Sequence, residues 1–184
     1  RQADFGGKTG KICNTSAFVL KYLFQQLSKI STKENLKDYQ ITLECTHHGP
    51  LIEKPCCFIE LGSSEKQWNE KLPAKILAKT ILSLKDYKSD KSWIPVIGIG
   101  GKHYCPNFNK IQLNSNYAIS HIIPEYCLPL SESLLSQAEH KTIEHIQEVL
   151  VDWKGCGNSE QRQKVTEVIK KSGLKFKRTE KIEK

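Results

Sequence analysis

The chain has 184 residues, 38% apolar and 26% charged, which suits one soluble domain with a sizeable core. That balance argues against a disordered or fibrous chain, and no apolar run is long enough for a membrane span or a signal peptide. The formal charge of +8 favours polyanionic partners.

Taken in chain order, Asp4 to Thr9 carries paired glycines and reads as a loop. Asn14 or Ser16 then caps a helix with an apolar stripe of Val19, Leu20, Leu23, Phe24, Leu27 and Ile30. Tyr39 to Cys45 alternates at period two and predicts a strand, followed by the turn His47-His48-Gly49-Pro50. Cys56 to Leu61 predicts a second strand, with Glu60 as its lone carboxylate. Ser64 and Gln67 have capping-box spacing and open a helix towards Leu84, which Pro73 should kink or restart. Trp93 to Ile99 reads as a strand buried on both faces, ending in Gly100-Gly101-Lys102-His103. Tyr117 to Ile123 is a further strand and carries His121. Two helices close the chain, about Ser131 to Leu150 and about Ser159 to Ser172, the latter stopped by Gly173.

Strands alternating with amphipathic helices predict an α/β fold, a three-layer α/β/α sandwich with a mixed, largely parallel sheet. Ligands of such sheets gather beyond the carboxyl ends of the strands. The chain starts at Arg1 and contains no Met, so an N-terminal part is expected to be missing. Seven cysteines without a repeated CxxC pair fit neither a zinc ribbon nor a disulfide framework. Cys45, Cys56, Cys57 and Cys127 read as small core residues, in a reducing, cytoplasmic setting.

Four of the six histidines sit in three Gly/Pro-punctuated turns beside apolar runs. Imidazole suits both proton transfer near neutral pH and metal ligation. His47, His48, His103 and His121 therefore form the candidate catalytic set, and three of them would suffice for a zinc site of catalytic type. Glu60 is the candidate general base, metal ligand or orienting carboxylate, because a buried carboxylate needs a partner. The Gly98-Ile99-Gly100-Gly101-Lys102-His103-Tyr104 loop fails the dinucleotide spacing, but its amides are candidate oxyanion donors. Cys105 is a poor candidate nucleophile, since neighbours in sequence rarely align as nucleophile and base. His140 and His145 are five residues apart and read as a solvated helix surface. Trp153 and Lys154 read either as packing under a turn or as a platform for a terminal nucleotide. Arg162 to Lys184 is strongly basic, and Lys170, Lys171, Lys175 and Lys177 are its candidate phosphate contacts.

Five motifs then occur in order: Thr46-His47-His48-Gly49-Pro50, Phe58-Ile59-Glu60-Leu61-Gly62-Ser63, Gly100-Gly101-Lys102-His103-Tyr104, His121-Ile122-Ile123-Pro124 and Val151-Asp152-Trp153-Lys154-Gly155. Together they resemble the archaeal and plant type of D-aminoacyl-tRNA deacylase, over roughly Tyr39 to Gly155. The resemblance implies a hydrolase, with zinc as its expected ion, that cleaves the carboxylic ester of D-aminoacyl-tRNA and releases the D-amino acid and tRNA. It also implies a fold like peptidyl-tRNA hydrolase and purine nucleoside phosphorylase. Family members carry a further N-terminal segment with sheet strands. Residues 1–184 are then one catalytic domain, N-terminally incomplete, with a basic helix and tail over 159–184. Lys102, Ser120 and Glu125 depart from the family's glycine, glycine and lysine, which bears on substrate preference more than on reaction class.

On this reading zinc sits on His47, His48 and His103, and Glu60 or a histidine takes a proton from water. Gly100 and Gly101 hold the oxyanion and Tyr104 shapes the amino-acid pocket, while Lys102, Trp153 and Lys154 contact substrate. The partner is D-aminoacyl-tRNA, with no membrane. The rival readings are a zinc-dependent amidase or peptidase on a small substrate and a non-catalytic RNA-binding module.

Overall fold

The computed structural model describes residues 3–62 and 64–182, so Ser63 of the second motif and the tail's Glu183 and Lys184 lie outside the described residues. Four short runs pair as a parallel sheet: β1 Ile94–Ile99, β2 Tyr117–Ile123, β3 Glu148–Val151 and β4 Lys175–Arg178. Their order is β2-β1-β3-β4, and each ladder is parallel. Alternation within the strands divides the core. Val96 and Leu150 pack with Phe24 of α1 (Ala17–Lys33) and Phe108 of α4 (Pro106–Asn114). Ile97, Val149 and Val151 face the other way, onto Leu135 of α5 (Glu132–His140) and Ile169 of α6 (Ser159–Lys171). The result is the expected three-layer α/β/α sandwich, wholly parallel among the described residues.

Two shorter helices, α2 (Glu65–Trp68) and α3 (Lys71–Leu82), stand where one was expected, and α3 packs on α1. Pro73 is the third residue of α3, where its missing N–H costs no helical bond. The Ser64–Gln67 capping box does not form, because the Ser64 hydroxyl bonds the Gln67 side chain and not a backbone N–H. Ser16 caps α1 by accepting from the Val19 N–H. Glu144 adds a second cap from far along the chain, accepting from the Ser16 hydroxyl at 2.5 Å and the Ala17 N–H at 2.8 Å. A carboxylate there also meets the positive end of the helix dipole.

Several expectations are corrected. Residues 39–45 and 56–61 are extended but not strands. The first is held by scattered bonds: the Leu43 N–H donates to Asn109 Oδ1 and the Thr42 hydroxyl to the Tyr104 carbonyl. Glu60 consequently lies on an exposed irregular segment. The predicted helix from Ser131 to Leu150 ends at His140 and gives way to β3. A parallel bridge between Thr15 and Thr142 interrupts it, with the Ile143 N–H donating to the Thr15 carbonyl. His140 and His145 are both exposed, but only His140 is helical. The basic stretch after Gly173 supplies strand β4 before it becomes tail. Among the cysteines, Cys45 is buried as expected, but Cys57 and Cys127 are exposed and Cys56 is partly exposed.

Beyond the ends of β1 and β3 two loops interlock. The Gly101 N–H donates to the Gly155 carbonyl at 3.0 Å and the Asp152 N–H to the Ile99 carbonyl at 2.9 Å. A methyl group on Gly155 would lie 2.3 Å from the Gly101 nitrogen, with backbone on that side and nowhere to move. Gly155→Ala is therefore expected to lower stability by about 1–3 kcal/mol, the range for overpacking. Gly62→Ala, with open space around it, should leave thermal denaturation unchanged.

Candidate active site

The site grows from one run, Glu44-Cys45-Thr46-His47-His48, laid against the carboxyl end of the sheet. The Thr46 N–H donates to the Ile122 carbonyl at the end of β2, and the Cys45 N–H to the His103 carbonyl after β1, each at 2.9 Å. The chain then turns at His48, whose φ of +58° is a left-handed conformation uncommon for a side-chain-bearing residue. The N-terminal loop braces that turn. Phe5 meets the His48 ring edge-on at 5.0 Å, and Asp4 Oδ2 lies 3.7 Å from His48 Nδ1.

Three imidazoles come together here. The His47 ring is 4.2 Å from that of His48 and 4.6 Å from that of His103. Glu44 Oε2 lies 3.4 Å from His47 Nε2 and 3.6 Å from His103 Nε2, so one carboxylate oxygen faces two rings. The buried Cys45 thiol is 3.4 Å from His103 Nδ1 and 2.7 Å from the Tyr126 hydroxyl, which is itself 3.2 Å from His103 Nδ1. Burial pushes the Cys45 thiol up, and the bond to Tyr126 opposes that only in part. Tyr104 packs edge-on against His103 at 5.0 Å and is 57% exposed, at the rim of the cluster.

His47 Nδ1 lies 2.6 Å from the Cys45 carbonyl oxygen. A carbonyl only accepts, so Nδ1 carries a proton, and a ring that holds no second proton presents a lone pair at Nε2. That lone pair looks at the Glu44 carboxylate. Two acceptors in this relation call for a proton or a cation between them. One nitrogen each of His47 and His103 and the Cys45 sulfur lie within 4.8 Å of one another. Around a tetrahedral zinc with bonds of about 2.0–2.3 Å, ligand atoms stand roughly 3.3–3.6 Å apart, so the three would have to draw in by up to roughly 1.3 Å to share one ion. Thiolate with imidazole is a donor set suited to zinc.

Among the described residues, the group that could hold a metal ion is Cys45, His47 and His103, which shares His47 and His103 with the expected set and leaves out His48. His121 is not in the cluster. It is 4% exposed, with Nδ1 3.2 Å from the Thr46 hydroxyl, and it lines a separate cavity of about 30 Å³ with Ile12 and Leu134. That volume holds a water or two and no substrate. Glu60 is exposed and forms no ion pair with a histidine among the described residues. The oxyanion role of Gly100 and Gly101 also fails on geometry, because the Gly100 N–H donates to the Ile123 carbonyl at 2.8 Å and the Gly101 N–H to Gly155. Their positive φ and the approach of Cys156 and Asp152 account for the glycines. Cys105 is buried, which pushes its thiol up to about 12, so it is no nucleophile.

Trp153 is no open platform. The Arg178 guanidinium stacks on its ring at 3.5 Å and Arg162 lies at 5.7 Å. Lys102 and Lys154 are exposed near the two loops, and Lys170 and Lys175 are exposed at the far edge of the sheet. Lys171 pairs with Glu132 at 3.2 Å, and Lys177 lies 3.5 Å from the Tyr117 hydroxyl. Sequence reasoning missed Glu44, Cys45 and Tyr126. A usable signal was present, since four of the five residues from Glu44 to His48 are ligand-type side chains.

Fold and site together define a parallel α/β protein with a Cys/His/Glu cluster beyond the carboxyl ends of its strands. The chain belongs to the D-aminoacyl-tRNA deacylase family, whose profile matches residues 1–177. It is 36% identical over 176 residues to the D-aminoacyl-tRNA deacylase of Thermococcus kodakarensis, covering 95% of this chain and 62% of that protein. The Pyrococcus abyssi protein of the same name is 33% identical, with 95% of this chain and 63% of the relative covered. The chain therefore spans under two thirds of the length of these relatives. A crystal structure described as a conserved protein of unknown function, AF0625, superposes with a TM-score of 0.85 at 28% identity, over 98% of this chain and 63% of the other. No helix among the described residues is long and apolar enough to cross a membrane.

Burial lowers the His121 pKa from 6.5 to about 4, with the Lys141 carbonyl opposing in part. The unfolded chain takes up this proton near 6.5 and the folded chain resists until about 4. His121 thus leaves stability intact above pH 6.5 and erodes it as pH falls through 4, by roughly 3 kcal/mol in all. Denaturant unfolding between pH 7 and 4 should show this loss, and His121→Gln should lack that component.

Proposed function

We propose that this chain carries the catalytic centre of a D-aminoacyl-tRNA deacylase, hydrolysing the carboxylic ester between a D-amino acid and the tRNA 3′ ribose in the cytoplasm. The observation that carries the reading is Glu44 facing both His47 and His103 beside the Cys45 thiol, in a chain of this family.

The ester is already activated, so the site has to deliver a water and move a proton. Cys45, His47 and His103 would hold zinc, which when bound supplies Lewis acidity and a water of lowered pKa. Glu44 is the general base, in the role the sequence suggested for Glu60, because its carboxylate faces both His47 and His103, whereas Asp4 meets His48 alone. The Cys45 carbonyl fixes the His47 tautomer, and Tyr126 orients Cys45 and His103. His48, between His47 and Asp4, extends the proton path to solvent. Tyr104 offers an aromatic wall at the rim for the amino-acid side chain.

Hydrolysis of D-aminoacyl-tRNA, followed by release of labelled amino acid with and without a chelator, tests this. Chelation, Glu44→Gln, His47→Ala and His103→Ala should each reduce the rate about a hundredfold or more. His140→Ala and His145→Ala should change nothing. Full activity in a verified metal-free preparation would remove zinc from the reading, and tRNA binding without any turnover would leave the RNA-binding alternative. Cleavage of small amides in preference to the ester would favour the amidase.

The basic edge gives a second measurement. Neutralising Lys170, Lys171, Lys175 and Lys177 should weaken tRNA binding and flatten its dependence on salt, each lost phosphate contact reducing the slope by about 0.7–0.9. Single-turnover rates on saturating substrate should stay as they are. An unaltered salt slope would return these lysines to the solvated surface.

A further inference from the structure

The segment before α1 and the segment after the His48 turn run side by side. The Cys56 N–H donates to the Asn14 carbonyl at 2.9 Å, and Asn14 Nδ2 donates to the Glu53 carbonyl at 2.7 Å. Between these bonds the Cys56 and Cys13 sulfurs lie 3.3 Å apart, although 43 positions separate them in the chain. Both residues are partly exposed, unlike Cys45, Cys105 and Cys156. Nothing in the hydrolytic site uses this pair.

We propose that Cys13 and Cys56 are a modification site, forming a reversible disulfide when the chain meets a small disulfide oxidant such as glutathione disulfide. A disulfide is about 2.05 Å long, so the sulfurs need to close by only about 1.2 Å. Side-chain rotation at two partly exposed positions supplies that, while the backbone bonds already hold the two segments together. The Cys56 thiol donates its hydrogen towards the Cys13 sulfur, and burial pushes Cys56 up to about 11, so Cys13 is the sulfur that attacks first. Its thiolate displaces one glutathione thiolate and forms a mixed disulfide. The Cys56 thiolate then attacks the Cys13 sulfur and releases the second glutathione. Two S–H bonds are lost and one S–S bond forms, and the two electrons leave in reduced glutathione.

The bond would act as a strap. The loop it anchors packs Gly7 against Gly49 and Phe5 against His48, so the cross-link fixes at a second point the segment that braces the His48 turn.

The test treats the full chain with excess glutathione disulfide, blocks remaining thiols with an alkylating reagent, and reads intact mass and the melting temperature. Two of the seven thiols should disappear without a retained glutathione, and dithiothreitol should restore them. The oxidised form should melt higher by on the order of 5–10 °C, as expected for a ring of this size. Cys57→Ser should behave as the parent at this pair, Cys56→Ser should hold glutathione on Cys13 and form no internal bond, and Cys13→Ser or Cys13→Ala should form neither the internal bond nor an adduct on Cys56. Retention of the Cys13 and Cys56 thiols, a glutathione adduct that stays on either of them in the parent chain (whatever the exposed Cys57 and Cys127 take up), or an internal bond that survives in Cys56→Ser would each overturn the proposal. The measurement on the parent chain stands even if a variant folds poorly.

Discussion

The candidate site hangs on the hydrogen bonds that fasten an irregular segment to the ends of two strands. The Thr46 N–H reaches the Ile122 carbonyl, the Ile122 N–H returns to the Thr46 hydroxyl, and the Cys45 N–H takes the His103 carbonyl. Each such bond contributes about 1 kcal/mol net, but its loss inside the fold would strand a polar group at about 1–3 kcal/mol. Everything chemical follows from these bonds: Glu44 and His47 arrive beside His103, and the Cys45 thiol is turned inward to Tyr126.

The same constraint separates two roles that glycine can play in a loop after a strand. Free amides aimed outward would make an anion cradle, whereas amides tied to neighbouring carbonyls make a close-packed seam. Gly100 and Gly101 are of the second kind, one bonded to Ile123 and the other to Gly155. The seam lies where the loops of β1 and β3 diverge, and β1 is the strand whose loop also carries His103. Glycine here buys proximity between two backbones, and through it a fixed origin for the histidine.

Elements with a strong period were legible in the sequence, because one face of a helix or both faces of a buried strand must be apolar. Hence α1, β1, β2 and α6 stand close to where the pattern puts them. Residues 39–45 alternate just as truly, but their bonds go to Asn109 and Tyr104, partners that only the folded chain brings near. The helix drawn through to Leu150 failed for a similar reason. Thr15, over a hundred positions away, takes the backbone bonds at Lys141 and Ile143 that would have continued it. In the site, the histidine turns point to one meeting place, and His47, His48 and His103 do meet there. His121 shares a strand end with the others and yet faces a different cavity, since a single step along a strand reverses the side chain. Glu60 drew notice as a lone carboxylate among apolar residues, while Glu44 was masked by the regular alternation around it.

Charge is distributed across the sheet in a way that constrains what the site can meet. The cluster sits past β1 and β2 and includes the Glu44 carboxylate, with Asp4 beside it. The β4 backbone lies at the opposite edge, three strand spacings from β2, or about 14 Å at about 4.8 Å per step, although Lys177 Nζ reaches back to within 3.5 Å of the Tyr117 hydroxyl at the start of β2. On the proposed function, a molecule anionic along its length with its reacting group at one end would set its phosphates on exposed lysines such as Lys170 and Lys175 and its uncharged ester at the carboxylate-bearing cluster. On the same proposal the overall charge of +8 would draw a polyanion in, while Glu44 and Asp4 would keep its phosphates away from the reacting centre.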